Sequence, residues 1–114
     1  MIRSLFRVET GAYRAGVLPI VVPGLNGHFD LFPEMHTGWS LGGMVNPEAV
    51  PGGRSAGSMG WAGWANTYYW VDPDSGICAV LMAQFLPFAD PAMIGVLRAF
   101  EAEVYNRFGS AQRE

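Results

Sequence analysis

One serine of this sequence stands in a setting that could support nucleophilic catalysis. Residues 53–57 read Gly-Arg-Ser-Ala-Gly, the Gly-x-Ser-x-Gly pattern of a nucleophile elbow, in which a sharp strand-to-helix turn exposes the serine hydroxyl. That chemistry also needs an acid and then a histidine further along the chain, but no histidine follows Ser55. Because a strand rather than a helix is predicted next, a catalytic Ser55 is the weaker interpretation, and a chance match in a glycine-rich loop is the stronger one.

A second group of side chains could be drawn as a metal site. It consists of His28, Asp30, Glu34 and His36. Their spacing matches no compact ligand pattern, and the segment predicts neither helix nor strand to orient the rings. We therefore expect exposed loop histidines, no bound metal and no cofactor.

The longest informative stretch runs from residue 57 to residue 84. A small-residue strand is predicted over residues 60–66, leading straight into an aromatic strand over residues 67–71. An Asp-Pro-Asp-Ser-Gly turn then returns the chain as an apolar strand over residues 77–83. Pro73 fixes its own φ and Gly76 can adopt a positive one, so the turn residues support a β-hairpin.

This stretch resembles the C-terminal part of the serine β-lactamase-like hydrolases, a family that includes penicillin-binding-protein-like peptidases and a class C-related, esterase-like branch. The third active-site motif of that family is Lys-Thr-Gly, His-x-Gly or Trp-x-Gly, and Trp61-Ala62-Gly63 stands in its place. Asn-Thr-Tyr-Tyr-Trp-Val-Asp-Pro at residues 66–73 and Gln-Phe-Leu-Pro-Phe-Ala-Asp-Pro at residues 84–91 match the same branch. The resemblance covers residues 29–108 and implies a partial β-lactamase/transpeptidase-like fold.

The resemblance implies roles for four residues, and Asn66 follows them at the end of the motif strand. Gly63 lets a substrate approach the backbone closely, and the N–H of Trp64 matches the family's oxyanion donor. Trp61 replaces the lysine that meets a substrate carboxylate, and Ala62 lacks the threonine hydroxyl, so small esters or amides are favoured over β-lactams. Asn66 either lines the pocket rim or satisfies backbone groups at the strand end. For the side chains of Trp61 and Trp64, aromatic packing on the sheet is the alternative.

The family's other catalytic groups are missing from the sequence. The nucleophile belongs to a Ser-x-x-Lys motif, but the chain has seven arginines and no lysine. None of its four tyrosines starts a Tyr-x-Asn motif. We therefore predict a piece that is inactive alone and whose partner is an N-terminal part of the same hydrolase carrying the nucleophile. The alternative is a non-catalytic remnant that self-associates as a homo-oligomer through its apolar sheet face.

The flanking elements predict a single α+β domain, an antiparallel sheet with a C-terminal helix packed on one face. Residues 1–37 are a loop-rich lead-in, residues 38–84 hold the antiparallel strands, and residues 39–45 alternate large and small side chains as one strand. Asp90 and Pro91 predict the start of a helix over residues 90–108, as N-cap and first helical residue. Its apolar face follows a spacing of three and four residues: Met93, Leu97, Phe100, Val104 and Phe108.

The composition and the net charge favour some classes of binding partner over others. Charged residues are 15% of the chain and apolar residues 50%, whereas ordinary domains have roughly 25% charged residues. Either another chain or a missing segment covers an apolar face, or the chain is an ordinary domain rich in glycine, alanine and methionine. The net charge of −3 without a basic cluster argues against nucleic-acid binding.

The sequence predicts no membrane span. The single cysteine, Cys78, is expected to be buried as a small hydrophobe.

Overall fold

The computed structural model describes residues 2–109, so residue 1 and residues 110–114 of the predicted domain lie outside it. The described residues form one antiparallel sheet of five strands in the order β1-β2-β3-β4-β5, followed by one long helix, α1. The bounds are β1 (Gly38–Trp39), β2 (Met44–Val45), β3 (Met59–Gly63), β4 (Thr67–Asp72), β5 (Ile77–Leu81) and α1 (Pro91–Phe108), with a short 3-10 helix at Ile2–Leu5. The predicted α+β class is confirmed.

The hairpin of β4 and β5 forms as predicted. Its strands pair in antiparallel register, with Asp72 opposite Ile77 at the turn. The Oδ1 atom of Asp72 accepts the N–H groups of Asp74 and Ser75 at 3.1 and 3.0 Å, and Gly76 has a φ of 64°. Local turn chemistry therefore fixes this hairpin.

The prediction of one strand over residues 39–45 is wrong, because the chain reverses in the middle of it. Trp39 pairs with Met44, which makes β1 and β2 two short strands. Between them the hydroxyl of Ser40 accepts the N–H groups of Gly42 and Gly43 at 3.1 and 3.2 Å. The Ser-Leu-Gly-Gly segment of residues 40–43 thus closes a turn instead of continuing a strand.

The strand predicted over residues 60–66 also ends early, at Gly63, and does not run straight into β4. A three-residue loop follows, and Gly63 pairs with Thr67 across it. Asn66, its last residue, has a φ of 61°, the left-handed conformation typical of this loop length. Consequently β3 and β4 are antiparallel neighbours, and the motif lies where β3 turns into β4.

Helix α1 begins and ends as the sequence predicts. The Oδ1 atom of Asp90 accepts the N–H groups of Ala92 and Met93 at 2.9 and 3.2 Å. Leu97 is fully buried, whereas Phe108 is 59% exposed. The predicted apolar face therefore packs over most of the helix but not over its last residue.

The core lies between α1, the sheet and the lead-in. Trp70 of β4 is its largest buried side chain; its ring packs edge-on against Phe100, and its Nε1–H donates to the hydroxyl of Tyr105 at 3.1 Å. The core cluster contains Ala15, Phe29, Leu31, Phe32, Met44, Tyr68, Trp70, Phe88, Ala89 and Leu97. The face of β4 that carries Trp70 is thus the face covered by α1.

The lead-in lies along the first edge of the sheet. The N–H of Glu9 donates to the carbonyl of Trp39 at 2.7 Å, and the N–H of Trp39 donates to the hydroxyl of Thr10 at 3.0 Å. Further along, the N–H of Ala15 donates to the carbonyl of Thr37 at 2.7 Å. These bonds occupy backbone groups at and beside β1.

The predicted burial of Cys78 is wrong. Its neighbour Ala79 pairs with Trp70 and so faces α1. Because side chains alternate along a strand, Cys78 points to the opposite face, where it is exposed.

Among residues 2–109, no helix is long and apolar enough to cross a membrane.

Candidate functional site

The motif at the end of β3 opens on an apolar cleft of about 250 Å³. Four of the five predicted site residues line it, and Asn66 does not. The lining consists of Leu18, Pro19, Val21, Asn26, Trp61, Ala62, Gly63, Trp64 and Phe88. Since none of these described residues carries a charge, the cleft suits an uncharged, largely apolar group.

The backbone beside Gly63 is accessible. Gly63 itself is exposed, and its carbonyl accepts the N–H of Asn66 at 3.1 Å across the loop. Within residues 2–109, the N–H of Trp64 donates to no acceptor. This N–H, next to an exposed glycine at an apolar cleft, is the kind of donor that can stabilise negative charge on a substrate oxygen.

The two tryptophans of the motif both line the cleft and pack. The ring of Trp61 lies 4.5 Å from that of Trp39 and 5.6 Å from that of Phe29, both edge-on. Trp64 is 55% exposed, and its ring stacks on Phe88 at 6.2 Å. Trp61 and Trp64 therefore pack against other aromatic rings and also line the cleft.

Asn66 does not line the cleft and is fully buried. Its Nδ2 group donates to the carbonyls of Phe85 and Pro87, each at 2.8 Å. Its Oδ1 atom accepts the hydroxyl of Tyr68 at 2.7 Å and the N–H of Ala89 at 3.0 Å. These bonds use both amide hydrogens and both oxygen lone pairs. The sequence left two roles open for Asn66, lining the pocket rim or satisfying backbone groups. These hydrogen bonds correspond to the second role.

Asn26, which lines the cleft, has the same arrangement, and the sequence reasoning missed it. Its Oδ1 atom accepts the N–H groups of Val21 and Val22 at 3.2 and 3.0 Å. Its Nδ2 group donates to the carbonyls of Pro19 and Gly27 at 2.9 and 3.1 Å. An asparagine in a loop rich in proline and glycine was the available signal, because such residues often hydrogen-bond nearby backbone.

The two walls of the cleft are joined by backbone hydrogen bonds. The N–H of Gly27 donates to the carbonyl of Phe88 at 2.6 Å, and the N–H of Phe88 donates to the carbonyl of Leu25 at 2.8 Å. Asn26 holds one loop and Asn66 holds the other, and these backbone hydrogen bonds join the two loops. These backbone hydrogen bonds hold the two walls of the cleft together.

Ser55 lies at the far end of the sheet from the motif. Its N–H donates to Asp72 at 2.8 Å, and its hydroxyl lies 3.0 Å from that of Ser75. Strand β4 separates this point from Gly63, a span of about 17 Å for six residues. The Ser55 hydroxyl therefore cannot attack a carbonyl held at the Trp64 N–H.

The surroundings of Ser55 are polar and structural. Burial alone would raise the pKa of Asp72, but hydrogen bonds from the N–H groups of Ser55 and Ser75 and the hydroxyls of Tyr105 and Ser75 outweigh it and lower that pKa to about 2. Burial, reinforced by the bond to Asp72, raises the pKa of Tyr105 well above its ordinary value. Near neutral pH, Asp72 therefore stays ionised and Tyr105 stays neutral. The hydrogen bond between them ties α1 to the β4–β5 turn.

The side chains that could be drawn as a metal site do not converge in the described structure. His28 and His36 are both exposed, and Asp30 instead binds the guanidinium of Arg14 at 2.9 Å. Among the described residues, no group of three or more histidine, cysteine, aspartate or glutamate side chains could hold a metal ion.

A family model described as Beta-lactamase matches residues 6–102. The monacolin J acid methylbutanoyltransferase of Aspergillus terreus is 26% identical over 108 residues, which cover 84% of this chain and 26% of that protein. The ML-236A carboxylate methylbutanoyltransferase mlcH of Penicillium citrinum is 30% identical over 87 residues, covering 75% of this chain and 21% of the relative. The chain therefore spans about a quarter of the length of these curated relatives.

Two solved structures are also similar to this chain. The unliganded simvastatin synthase LovD of Aspergillus terreus superposes with a TM-score of 0.62 at 27% identity, over 66% of this chain and 20% of that one. Its LovD9 mutant gives a TM-score of 0.63 at 30% identity, over 65% and 19%.

Proposed function

The chain belongs to the beta-lactamase family, as the resemblance of its motif stretch indicated, and we propose that it forms the oxyanion and substrate-binding wall of a serine acyl-transfer enzyme. A segment outside this sequence supplies the nucleophile, since no lysine is available for a Ser-x-x-Lys motif. The chain alone is then inactive, and its partner is the N-terminal part of the same hydrolase or transferase.

One observation carries this proposal: the N–H of Trp64 has no acceptor within residues 2–109 and lies beside exposed Gly63 at the mouth of the cleft. When a nucleophile attacks an ester or amide, the carbonyl oxygen becomes an oxyanion. A fixed N–H aimed at that oxygen stabilises the transition state, and removing one such donor costs about 10²–10³ in kcat.

The lining of the cleft supports a neutral substrate. Trp61 cannot supply the positive charge that a carboxylate would require, and its ring is held by two other aromatic rings. The volume of about 250 Å³ suits a short aliphatic acyl group. Two relatives are named as methylbutanoyltransferases, so we propose transfer of a small apolar acyl group from an ester or thioester to water or an alcohol.

Covalent labelling tests this function directly. The purified chain is treated with a fluorophosphonate, alone and after mixing with the part of the Aspergillus terreus relative that this chain does not match. We expect no label on this chain in either sample, and label plus ester hydrolysis on the longer polypeptide only in the mixture. Label on this chain alone, abolished by S55A, would show that Ser55 is the nucleophile and that the proposal is wrong.

A second candidate, a non-catalytic module that self-associates, is favoured by one specific observation. Apolar side chains on the open face of β5 and just beyond it remain uncovered in the described structure: Val80 is 57% exposed and Met82 82% exposed. In this case no acyl-transfer activity appears in the mixture, while the chain still forms oligomers by itself.

A further inference from the structure

A second, smaller space lies next to the cleft, and we call it the inner cavity. It has a volume of about 100 Å³. Its lining consists of Ala15, Gly16, Leu18, Phe29, Asp30, Leu31, Trp39, Met44 and Trp61. Because Phe29, Leu31 and Met44 are buried core residues, the inner cavity borders the core that this chain forms by itself.

Two residues, Leu18 and Trp61, line both the cleft and the inner cavity, so they lie between the two spaces. The ring of Trp61 is held there by the rings of Trp39 and Phe29, at 4.5 and 5.6 Å between centroids. Leu18 is held by its backbone: its N–H donates to the carbonyl of Phe29 at 2.9 Å, and its carbonyl accepts the N–H of Phe29 at 3.0 Å. The position of Leu18 is therefore fixed independently of its side chain.

The inner cavity suits a hydrocarbon chain. Among its described lining residues, Asp30 alone carries a charge, and its carboxylate already accepts the guanidinium of Arg14 at 2.9 Å and the N–H of Phe32 at 3.2 Å. The other lining side chains are aliphatic, aromatic or a thioether. An alkyl chain that reached this space would leave no charge unpaired and would meet mainly carbon atoms.

We propose that the side chain of Leu18 limits the length of the acyl group by closing the cleft toward the inner cavity. This inference rests on the proposed acyl-transfer function, because it assigns the cleft to the acyl group. In the parent chain a short aliphatic acyl group fills the cleft and ends against Leu18 and Trp61. With a smaller residue at position 18 the two spaces join, and a longer alkyl chain continues past Trp61 into the inner cavity.

Val21 offers a matched control. It is also aliphatic and lines the cleft, but it does not line the inner cavity. V21A therefore widens the cleft without opening the boundary between the two spaces. Leu18 is 41% exposed and Val21 is 76% exposed, so neither L18A nor V21A removes a fully buried side chain, and we expect both variants to fold.

The kinetic test compares p-nitrophenyl butanoate with p-nitrophenyl hexanoate, using the chain mixed with the part of the Aspergillus terreus relative that it does not match. In L18A the ratio of kcat/KM for hexanoate to that for butanoate should rise about tenfold, because each methylene newly buried in an apolar space contributes about fourfold. L18M has a similar volume and should keep the parental ratio. V21A should change the ratio by less than about threefold.

Binding to the chain alone separates this inference from the proposed function, since it needs no nucleophile. The indole N–H signal of Trp61 in NMR spectra, assigned with W61F, is followed during titration with methyl butanoate and then methyl hexanoate. We expect the parent to bind both esters with similar affinity and L18A to bind the hexanoate about tenfold more tightly than the butanoate. An inactive mixture together with this change in binding would count against the acyl-transfer function but not against the role of Leu18.

The opposite substitution gives a second test. In L18F a larger side chain narrows the end of the cleft, so the affinity for methyl butanoate should fall relative to that for methyl acetate. The role of Leu18 is wrong if L18A, shown to be folded by circular dichroism, binds the butanoate and hexanoate esters in the parental ratio. It is equally wrong if V21A shifts that ratio as much as L18A does. If L18A does not fold, an unchanged preference of L18F between the acetate and the butanoate overturns the proposal.

Discussion

Arg54 and Glu101 form a buried ion pair that joins the loop before β3 to the middle of α1. The guanidinium Nε lies 2.8 Å from Oε1, and Nη2 lies 2.9 Å from Oε2. The backbone N–H of Arg54 donates to the same Oε1 at 3.0 Å. The guanidinium also lies 4.7 Å from the ring centroid of Trp70. One carboxylate thus satisfies a buried cation and a buried N–H.

Removing this carboxylate should strongly destabilise the chain. In E101A the Arg54 guanidinium stays buried without its counter-charge, which typically costs about 3–5 kcal/mol. The matched control is E103A on the same helix, where the ion pair with Arg107 is exposed and is worth less than about 1 kcal/mol. Urea unfolding measures both variants, and equal losses would contradict the structural role of the buried pair.

The pKa of Asp72 predicts the acid stability of the hairpin end. Its pKa is lowered from the ordinary 3.8 to about 2, so the folded state favours the ionised form. That stabilisation is complete above about pH 4 and is lost as the pH falls toward 2, by about 2 kcal/mol in total. Urea midpoints measured from pH 6 to pH 2 should show this loss, and D72N should remove the corresponding slope.

Y105F is a second variant for the same measurement. It keeps the aromatic ring beside Trp70 but removes the hydroxyl that donates to Asp72 at 2.8 Å. With one hydrogen bond fewer, the pKa of Asp72 rises, and the loss of stability begins at a higher pH than in the parent. An unchanged acid profile would show that this bond does not contribute to the shift.

The parts of the fold that were predictable are those whose causes are local in sequence. Asp72 closes its turn through residues two and three positions away, and Asp90 caps α1 in the same way. Trp61, Gly63 and Trp64, which line the cleft, were singled out from the sequence because they stand in one contiguous motif that resembles a known family.

The features that were missed have distant causes. Arg54 and Glu101 are 47 positions apart, so no pattern within either segment indicates the pair. The end of β3 at Gly63 depends on Asn66, whose left-handed φ is stabilised by bonds to residues 19–23 positions later. Cys78 is exposed because it lies on the face of β5 opposite α1, and the sequence of the strand alone does not indicate which face the helix covers.

Asn66 combines two contributions to stability that two variants separate. N66G keeps the positive φ readily but loses four hydrogen bonds, two of them buried, and we expect a loss of about 2–4 kcal/mol. N66A loses the same bonds and also strains the backbone, which adds about 1–2 kcal/mol. Denaturant unfolding should therefore rank the parent above N66G and N66G above N66A, and equal values for the two variants would exclude a role for the φ angle.

Trp64 offers the sharpest test of the oxyanion role, because its N–H can be removed without removing a hydrogen bond of the described fold. Trp64 is the first central residue of the turn closed by the bond from Asn66 to Gly63, and proline is favoured at that position of a type I turn. In the mixture with the longer polypeptide, W64P should lower kcat for ester hydrolysis by about 10²–10³. W64A loses the indole but keeps the N–H, so its kcat should stay within about tenfold of the parent, a loss below about 1.4 kcal/mol of transition-state stabilisation. If the two variants lose activity equally, the indole rather than the N–H is what the reaction requires.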